Sequence, residues 1–369
     1  MRILVYGLSN VRGGVESFII NNCTYIQSKY DNIRFDFVVI DSIPSFVENL
    51  QEQGSHFHVV QNRISHPFLF KRELNSILTK TGYDYIWYNV CTLSDITLLE
   101  IAKKKSIKTI IHSHNSQNMG NSLNLLLHKA HKARISSLGD CFFACSKDAG
   151  RFMFSEKKDS QCSFDVMRNT IDVDMFRFSD KKRVKIRKEL GLEGLFVLGH
   201  VGRFHPQKNH EYLLDVFSRY YQEDKNSALI LIGGGERKNI DEVKEKARAL
   251  NVLDRVLFLG EKKDIASYYS AMDCFVFPSR YEGFPFSPIE AQASGLPCLV
   301  SDVCPENIIM LPSSVMLDID SETELWVNEI RRIKKMEINR EEGVLFVEHA
   351  GYGLCDSTEW FLKKIGYMN

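Results

Sequence analysis

Short apolar runs rich in Val, Ile and Phe alternate with longer amphipathic stretches along the chain. In the first half, Ile3–Tyr6, Phe35–Ile40, Phe57–Val60, Asp84–Tyr88, Lys108–His112, Cys141–Cys145 and Asp165–Met167 have the length and composition of strands. Between them, Glu16–Lys29, Pro67–Lys80 and Leu93–Lys103 carry apolar residues at helical spacing. The pattern restarts after a charged stretch, Ser179–Glu193, with strands at Phe196–Val201, Ala228–Ile232, Val256–Leu259, Cys274–Phe277 and Cys298–Val300. Strands alternating with helices predict a mostly parallel sheet with helices on both faces. The α/β pattern therefore predicts two doubly wound, Rossmann-like domains, 1–178 and 179–354, with the linker inside the charged stretch. Ligands of open α/β sheets bind beyond the carboxyl ends of the strands, so a cleft between two such domains is the expected site.

A length of 369 residues suits two domains. The 44% hydrophobic content supports packed cores and argues against disorder. Zero formal net charge gives no electrostatic footprint for a nucleic-acid partner. The charge is uneven, however: Lys103 to Lys158 holds 11 basic residues against Asp140, Asp148 and Glu156, a local excess of 11 − 3 = +8. That stretch suits an anionic membrane surface or acceptor, or is simply a set of solvated helix faces. Nine cysteines without a repeated spacing read as reduced thiols. The opening apolar run is too short for a signal peptide, and no stretch approaches the ~18 apolar residues of a membrane helix. The expectation is a cytoplasmic protein that touches a membrane, if at all, peripherally at the inner leaflet.

Several motifs fall on loops beyond predicted strands. In Gly202-Arg203-Phe204-His205-Pro206-Gln207-Lys208-Asn209, two cations precede a helix, where they oppose its dipole unless an anion joins them. Ser279–Glu290 follows another strand; Gly283 permits backbone approach to a ligand, and Glu282 lies where sites are built. Ser287, Pro288 and Glu290 fit N-cap, N1 and N3, so Glu290 also reads as a capping-box residue. The loop Val11–Glu16 contains Gly13-Gly14, adjacent glycines at a helix start whose N–H groups suit an anion; it is not a G-x-G-x-x-G fingerprint. His112-Ser113-His114-Asn115 puts a polar cluster at a strand exit, with no third ligand to argue for zinc. Gly233-Gly234-Gly235 lacks the ending of a P-loop and reads equally as a nucleotide contact or a plain turn. Asp172-Val173-Asp174 matches a D-x-D metal motif by letter only. No metal site is expected.

Taken in order, these segments resemble the retaining glycosyltransferases of family 4, which have the GT-B fold, over nearly the whole chain. The resemblance rests on Gly13-Gly14, His112–Asn115, Ala144-Cys145-Ser146, Asn169–Asp172, the Gly202–Asn209 loop and the pair Glu282/Glu290 at E-x7-E spacing. Enzymes of bacterial capsule and exopolysaccharide assembly are the most similar in pattern. It implies that Arg203 and Lys208 hold the donor diphosphate and that Glu290 binds the ribose. Glu282 and the amides of Gly283, Phe284 and Pro285 would hold the transferred sugar. Gly13 and Gly14 would lie near the phosphates, with Gly202, Gly233 and Gly234 lining the nucleotide. His114 would sit on the acceptor side of the reacting carbon. The C-terminal helix, about 355–369, would cross back to the first domain. Phe286-Ser287-Pro288 departs from the aliphatic run common in that family.

The implied activity is transfer of a hexose or N-acetylhexosamine from a nucleotide sugar to a saccharide or lipid-linked oligosaccharide acceptor. UDP is the family's commonest carrier, and no cofactor or metal is required when two cations neutralise the leaving group. A nucleotide-sugar epimerase of the same fold and a non-catalytic partner subunit stay open as alternatives. A nicotinamide oxidoreductase lacks its fingerprint loop.

Overall fold

The structure is a computed structural model that describes all residues except 12, 116–121, 155–162, 283 and 369. Thirteen strands are found among the described residues. In the first half they are β1 Arg2–Tyr6, β2 Arg34–Ile40, β3 Phe57–Val60, β4 Tyr85–Val90, β5 Lys108–Ser113, β6 Cys141–Ala144 and β7 Asp165–Val166. In the second half they are β8 Phe196–Val201, β9 Ser227–Ile232, β10 Val256–Phe258, β11 Cys274–Phe277, β12 Cys298–Ser301 and β13 Val315–Leu317. They form two sheets, ordered β3-β2-β1-β4-β5-β6-β7 and β10-β9-β8-β11-β12-β13, and every pairing is parallel. The α/β, doubly wound architecture expected from the alternating pattern is therefore present twice.

The chain divides into two compact units, Met1–Thr170 with Leu354–Asn369, and Ile171–Gly353. In each sheet the order reverses beside the first strand of the series, between β1 and β4 and between β8 and β11. At such a switch point the flanking loops diverge and leave a crevice at the carboxyl edge. The motif loops follow β1, β8 and β11, so the topology gathers them at these two places.

The strand runs are legible because both faces are covered. Ser227–Ile232 is buried at all six positions, as parallel sheets between helical layers require. One charged stretch breaks the pattern. Ser179–Glu193, where a linker was expected, is mostly the helix Asp180–Leu190, capped by Ser179 at its start and by left-handed Gly191 at its end. Its arginines tie it down: Arg183 and Arg187 both pair with Asp273, at 2.5 and 3.0 Å, and Asp273 also accepts from the Val197 amide at 2.7 Å. Only Ile186 and Arg187 of this helix are buried, so no apolar stripe announced it.

The C-terminal helix, Leu354–Lys364, belongs to the first unit. Its fully buried Phe361 stacks on Trp87 of β4 at 4.7 Å between ring centroids. Tyr85 donates its hydroxyl proton to the Ile365 carbonyl at 2.6 Å. These contacts place the last segment of the chain against the sheet built by the first. Phe361→Ala is expected to destabilise the first unit by about 3–5 kcal/mol, the range for a buried Phe that leaves a cavity. A urea titration followed by far-UV circular dichroism checks this; an unshifted midpoint contradicts the docking role.

Candidate functional site

In the second unit, the loop after β8 carries Gly202, Arg203 and Lys208, and the loop after β11 carries Glu282. Across that switch point Lys208 Nζ pairs with Glu282 Oε1 at 2.6 Å, with the two side chains only 14% and 7% exposed. The ammonium also lies 4.6 Å from the centre of the Phe277 ring, at the end of β11. Two unit charges about 4 Å apart attract by about 4 kcal/mol at an effective dielectric of 20, several times the value in open water. Lys208 is therefore held in place and its charge is balanced locally. Arg203 is exposed and forms no ion pair among the described residues.

Two helices begin beside this pair without side-chain caps. His210–Glu223 follows Asn209, which is in the left-handed region at φ 54°, and Phe286–Ala293 follows Pro285. Helix starts leave amide donors unsatisfied and favour anions there. The second start corrects an expectation: Ser287, Pro288 and Glu290 are not N-cap, N1 and N3. The helix begins earlier because Phe286 is buried and Pro285 supplies the extended residue before it, at φ −75° and ψ 137°. Pro285 also has no N–H to offer a sugar, contrary to the amide role that the family resemblance implies. Phe284 stacks on Tyr352 at 5.2 Å, and Gly283 lies outside the described residues.

With the capping box gone, Glu290 takes a different partner. Its Oε2 accepts the hydroxyl proton of fully buried Tyr269 at 2.8 Å. Burial, then the Glu290 charge, holds the Tyr269 phenol well above its ordinary pKa. The helices carrying these two residues are pinned at their far ends by Arg340. Its guanidinium donates to the carbonyls of Tyr269, Met272 and Ser294 at 2.9, 2.7 and 2.9 Å. Burial pushes its pKa down to about 9.

The glycines after β8 and β9 serve the backbone. The Gly202 and Gly233 amides donate to Ile232 and Gly260 at 2.9 and 3.0 Å, and Gly234 accepts from Phe204 at 2.8 Å. Gly233 has φ +151°, and a Cβ there would stand 2.0 Å from the Gly202 carbonyl oxygen, so no other residue fits. These three glycines knit adjacent loops together, and the amides of Gly202 and Gly233 are spent on that. Beneath the loop, His200 Nδ1 lies 2.9 Å from the Val276 carbonyl. A carbonyl only accepts, so Nδ1 carries the proton, and Nε2 is buried with no hydrogen-bond partner among the described residues. Sequence reading missed His200, His210 and Tyr269, because each is an ordinary core residue until its neighbours are known.

In the first unit, the Gly13-Gly14 loop is organised by a residue that sequence reading passed over. Glu16 accepts from the Gly13 amide at 3.0 Å and from Ser9 Oγ at 2.7 Å, and is itself buried. The Gly13 amide is thus not open to an anion. His114 follows β5, and its Nε2 lies 2.9 Å from Oδ1 of Asn89, near the carboxyl end of β4. The ring stacks on buried His112 at 4.2 Å. With an oxygen as partner, Nε2 carries the proton and Nδ1 is left as an acceptor. Burial lowers the His114 pKa to about 3, so the ring is neutral at ordinary pH. Asp172 and Asp174 sit at the short helix Val173–Phe176, where Asp174 pairs with Arg177 at 2.6 Å.

The basic residues of 103–158 are not gathered on one edge: Lys108 opens β5 at its amino end, whereas Lys147 follows β6 at its carboxyl end. Lys157 and Lys158 lie outside the described residues. No helix among the described residues is long and apolar enough to cross a membrane.

Four imidazoles with depressed pKa values set a pH dependence. Burial depresses His114 to about 3 and His210 to about 4, and holds His112 and His200 well below 6.5. The unfolded chain takes up these protons near pH 6.5 and the folded chain does not, so stability falls as pH drops from about 6.5 towards 4 and is level above 7. Urea midpoints at pH 7.5 and 5.0 test this; equal midpoints contradict it.

Residues 182–342 match the family model "Glycosyl transferases group 1". The putative glycosyltransferase EpsF of Bacillus subtilis (strain 168) is 29% identical over 331 residues, 87% of this chain and 84% of that protein. The UDP-Gal:alpha-D-GlcNAc-diphosphoundecaprenol alpha-1,3-galactosyltransferase of Escherichia coli is 36% identical over 149 residues, 39% of this chain and 38% of that one. Anabaena Alr3699/HepE, solved in complex with UDP, superposes with a TM-score of 0.82 at 18% identity, covering 100% of both chains. The same protein has also been solved with UDP-glucose. The fold, two Rossmann-like domains in one chain, is thus shared with that solved protein.

Proposed function

We propose that this chain, a glycosyltransferase carrying the group 1 domain at 182–342, moves a hexosyl or N-acetylhexosaminyl group from a UDP-sugar to a lipid-linked saccharide during surface-polysaccharide synthesis. The observation that carries the reading is the nearly hidden Lys208–Glu282 pair between two uncapped helix starts. The UDP-bound structural neighbours and the polysaccharide glycosyltransferases among the relatives support donor and pathway class.

The second unit takes the donor role in this reading. Cleavage of the bond between the anomeric carbon and the diphosphate oxygen leaves an oxocarbenium-like sugar and a diphosphate with growing negative charge. Lys208 has three N–H donors and spends one on Glu282, so two are available to that charge. Arg203, free of a carboxylate, supplies a second cation, and the open helix amides add partial positive charge. Two cations so placed do the work that a metal does elsewhere. Glu282 keeps Lys208 in position and offers its remaining lone pairs to hydroxyls of the transferred sugar. Glu290, oriented by Tyr269, accepts from the ribose hydroxyls. The first unit takes the acceptor role, with neutral His114 offering Nδ1 to an acceptor hydroxyl. Retention of configuration rests on the family resemblance, and the departing phosphate oxygen takes the acceptor's proton. The site of action is the cytosolic face of a membrane.

Lys208→Ala is expected to lower kcat by about 10²–10³-fold, the usual loss for one preorganised donor to a developing charge. UDP affinity should fall far less, since binding also uses Arg203, Glu290 and backbone amides. Radiolabelled UDP-sugar transfer with a lipid-linked acceptor, alongside calorimetric UDP titration, measures both. Undiminished turnover in the variant would refute the charge role. Conversion of the donor to another UDP-sugar with no acceptor present would identify an epimerase instead.

A further inference from the structure

The two strands that lead into the donor loops diverge before they end. β8 keeps its ladder with β9 as far as its last residue, Val201 opposite Ile232, but its ladder with β11 stops at Gly199 opposite Phe275. β11 runs on to Phe277, still paired with β12. The Val276 carbonyl, which the ladder from β8 leaves unmatched, accepts from His200 Nδ1. The His200 ring is fully buried there, stacked against Phe275 and Phe277 with ring centroids at 6.1 and 5.6 Å. It meets the ring of His210, the first residue of the helix beyond the loop, edge to face at 4.9 Å. His210 in turn stacks on Phe204 of the loop at 4.5 Å. An imidazole thus fills the gap between the diverging strands and ties them where the ladder no longer does.

Its second nitrogen faces the charged pair above. A Cβ added to Gly202 would stand 2.9 Å from His200 Nε2 and 3.3 Å from both Cγ and Cδ of Lys208, so Nε2 and the lysine stem close on the same point. Phe277 is shared in the same way, with the His200 imidazole stacked on it and the Lys208 ammonium near its ring. Because Nδ1 keeps the proton, Nε2 is a bare lone pair, buried with no hydrogen-bond partner among the described residues. Leaving a buried acceptor unmatched costs about 1–3 kcal/mol. A phenylalanine would fill the space without that cost if filling it were the whole task. Burial keeps the ring uncharged. A neutral ring with its lone pair towards the lysine favours the ammonium, whereas a protonated ring would repel it.

We propose that His200 is a positioning residue for Lys208: it ties β8 to β11 where they diverge, sets the spacing of the loops that bring Lys208 to Glu282, and backs the lysine stem with Nε2. The inference rests on the transferase reading of Lys208. It adds to that reading a residue that touches neither sugar nor diphosphate and acts only through the lysine.

Two substitutions separate the parts of this role. His200→Phe keeps the ring and removes both nitrogens, whereas His200→Asn keeps an N–H donor close to where Nδ1 stands. His200→Phe should lower kcat roughly 10²-fold, the scale for an ångström of misplacement, with UDP affinity much less affected. His200→Asn should recover most of that loss. In the Lys208→Ala background His200→Phe should cost little further, because the side chain it positions is already gone. Nitrogen NMR of the full chain with isotopically labelled histidine gives a readout that needs no turnover. The ring signals that vanish in His200→Phe should report a protonated Nδ1 and a bare Nε2, and the Nε2 signal should move in Lys208→Ala. A parent chain without transfer would count against the transferase reading, and the inference would then stand or fall on those signals. An unchanged kcat in His200→Phe, an Asn variant no better than the Phe variant, losses that multiply with Lys208→Ala, or an Nε2 signal indifferent to Lys208 would each overturn it.

Discussion

The ammonium of Lys208 and the carboxylate of Glu282 meet at 2.6 Å between loops 74 residues apart in sequence. The pair is nearly hidden from water. Burying an isolated charge is costly, and removing one partner of a buried pair leaves the other uncompensated. The two loops are therefore committed to each other, and the position of one fixes the position of the other. The donor role proposed for Lys208 rests on that constraint. A cation that is already desolvated and aimed needs little reorganisation when negative charge develops beside it, which is the condition for electrostatic catalysis.

The surrounding structure serves the same geometry. The Gly202, Gly233 and Gly234 backbones lock the first loop to its neighbours. Arg340 gathers the ends of the two helices that bring Tyr269 and Glu290 together. In the first unit, Glu16 and Asn89 do comparable work for the Gly13 loop and for His114. Each of these is a polar group held by partners on another element, so the sites stand on the framework and not on free loops.

Much of the framework was legible in the chain. Parallel strands buried on both faces leave continuous apolar runs, and β8 and β11 were located to the residue. What escaped had a physical reason. The helix Asp180–Leu190 is anchored by arginines on Asp273 and shows no apolar stripe. The strand β13 is three residues long with only Leu317 buried. Ser287 has every local mark of an N-cap, yet burial of Phe286 moved the helix start forward. Motif positions at Arg203, Lys208, Glu282 and Glu290 were readable. Their partners were not, because the pairing of Lys208 with Glu282, or of Glu290 with Tyr269, depends on contacts across the fold that no spacing encodes.

A double-mutant cycle on transfer activity, built from Lys208→Met and Glu282→Gln, tests the central claim most directly. If the two side chains act as one unit, kcat/KM of the double variant will lie close to that of the worse single variant, well short of the product of the two losses. Losses that multiply would show that Lys208 and Glu282 act independently, and would contradict the account.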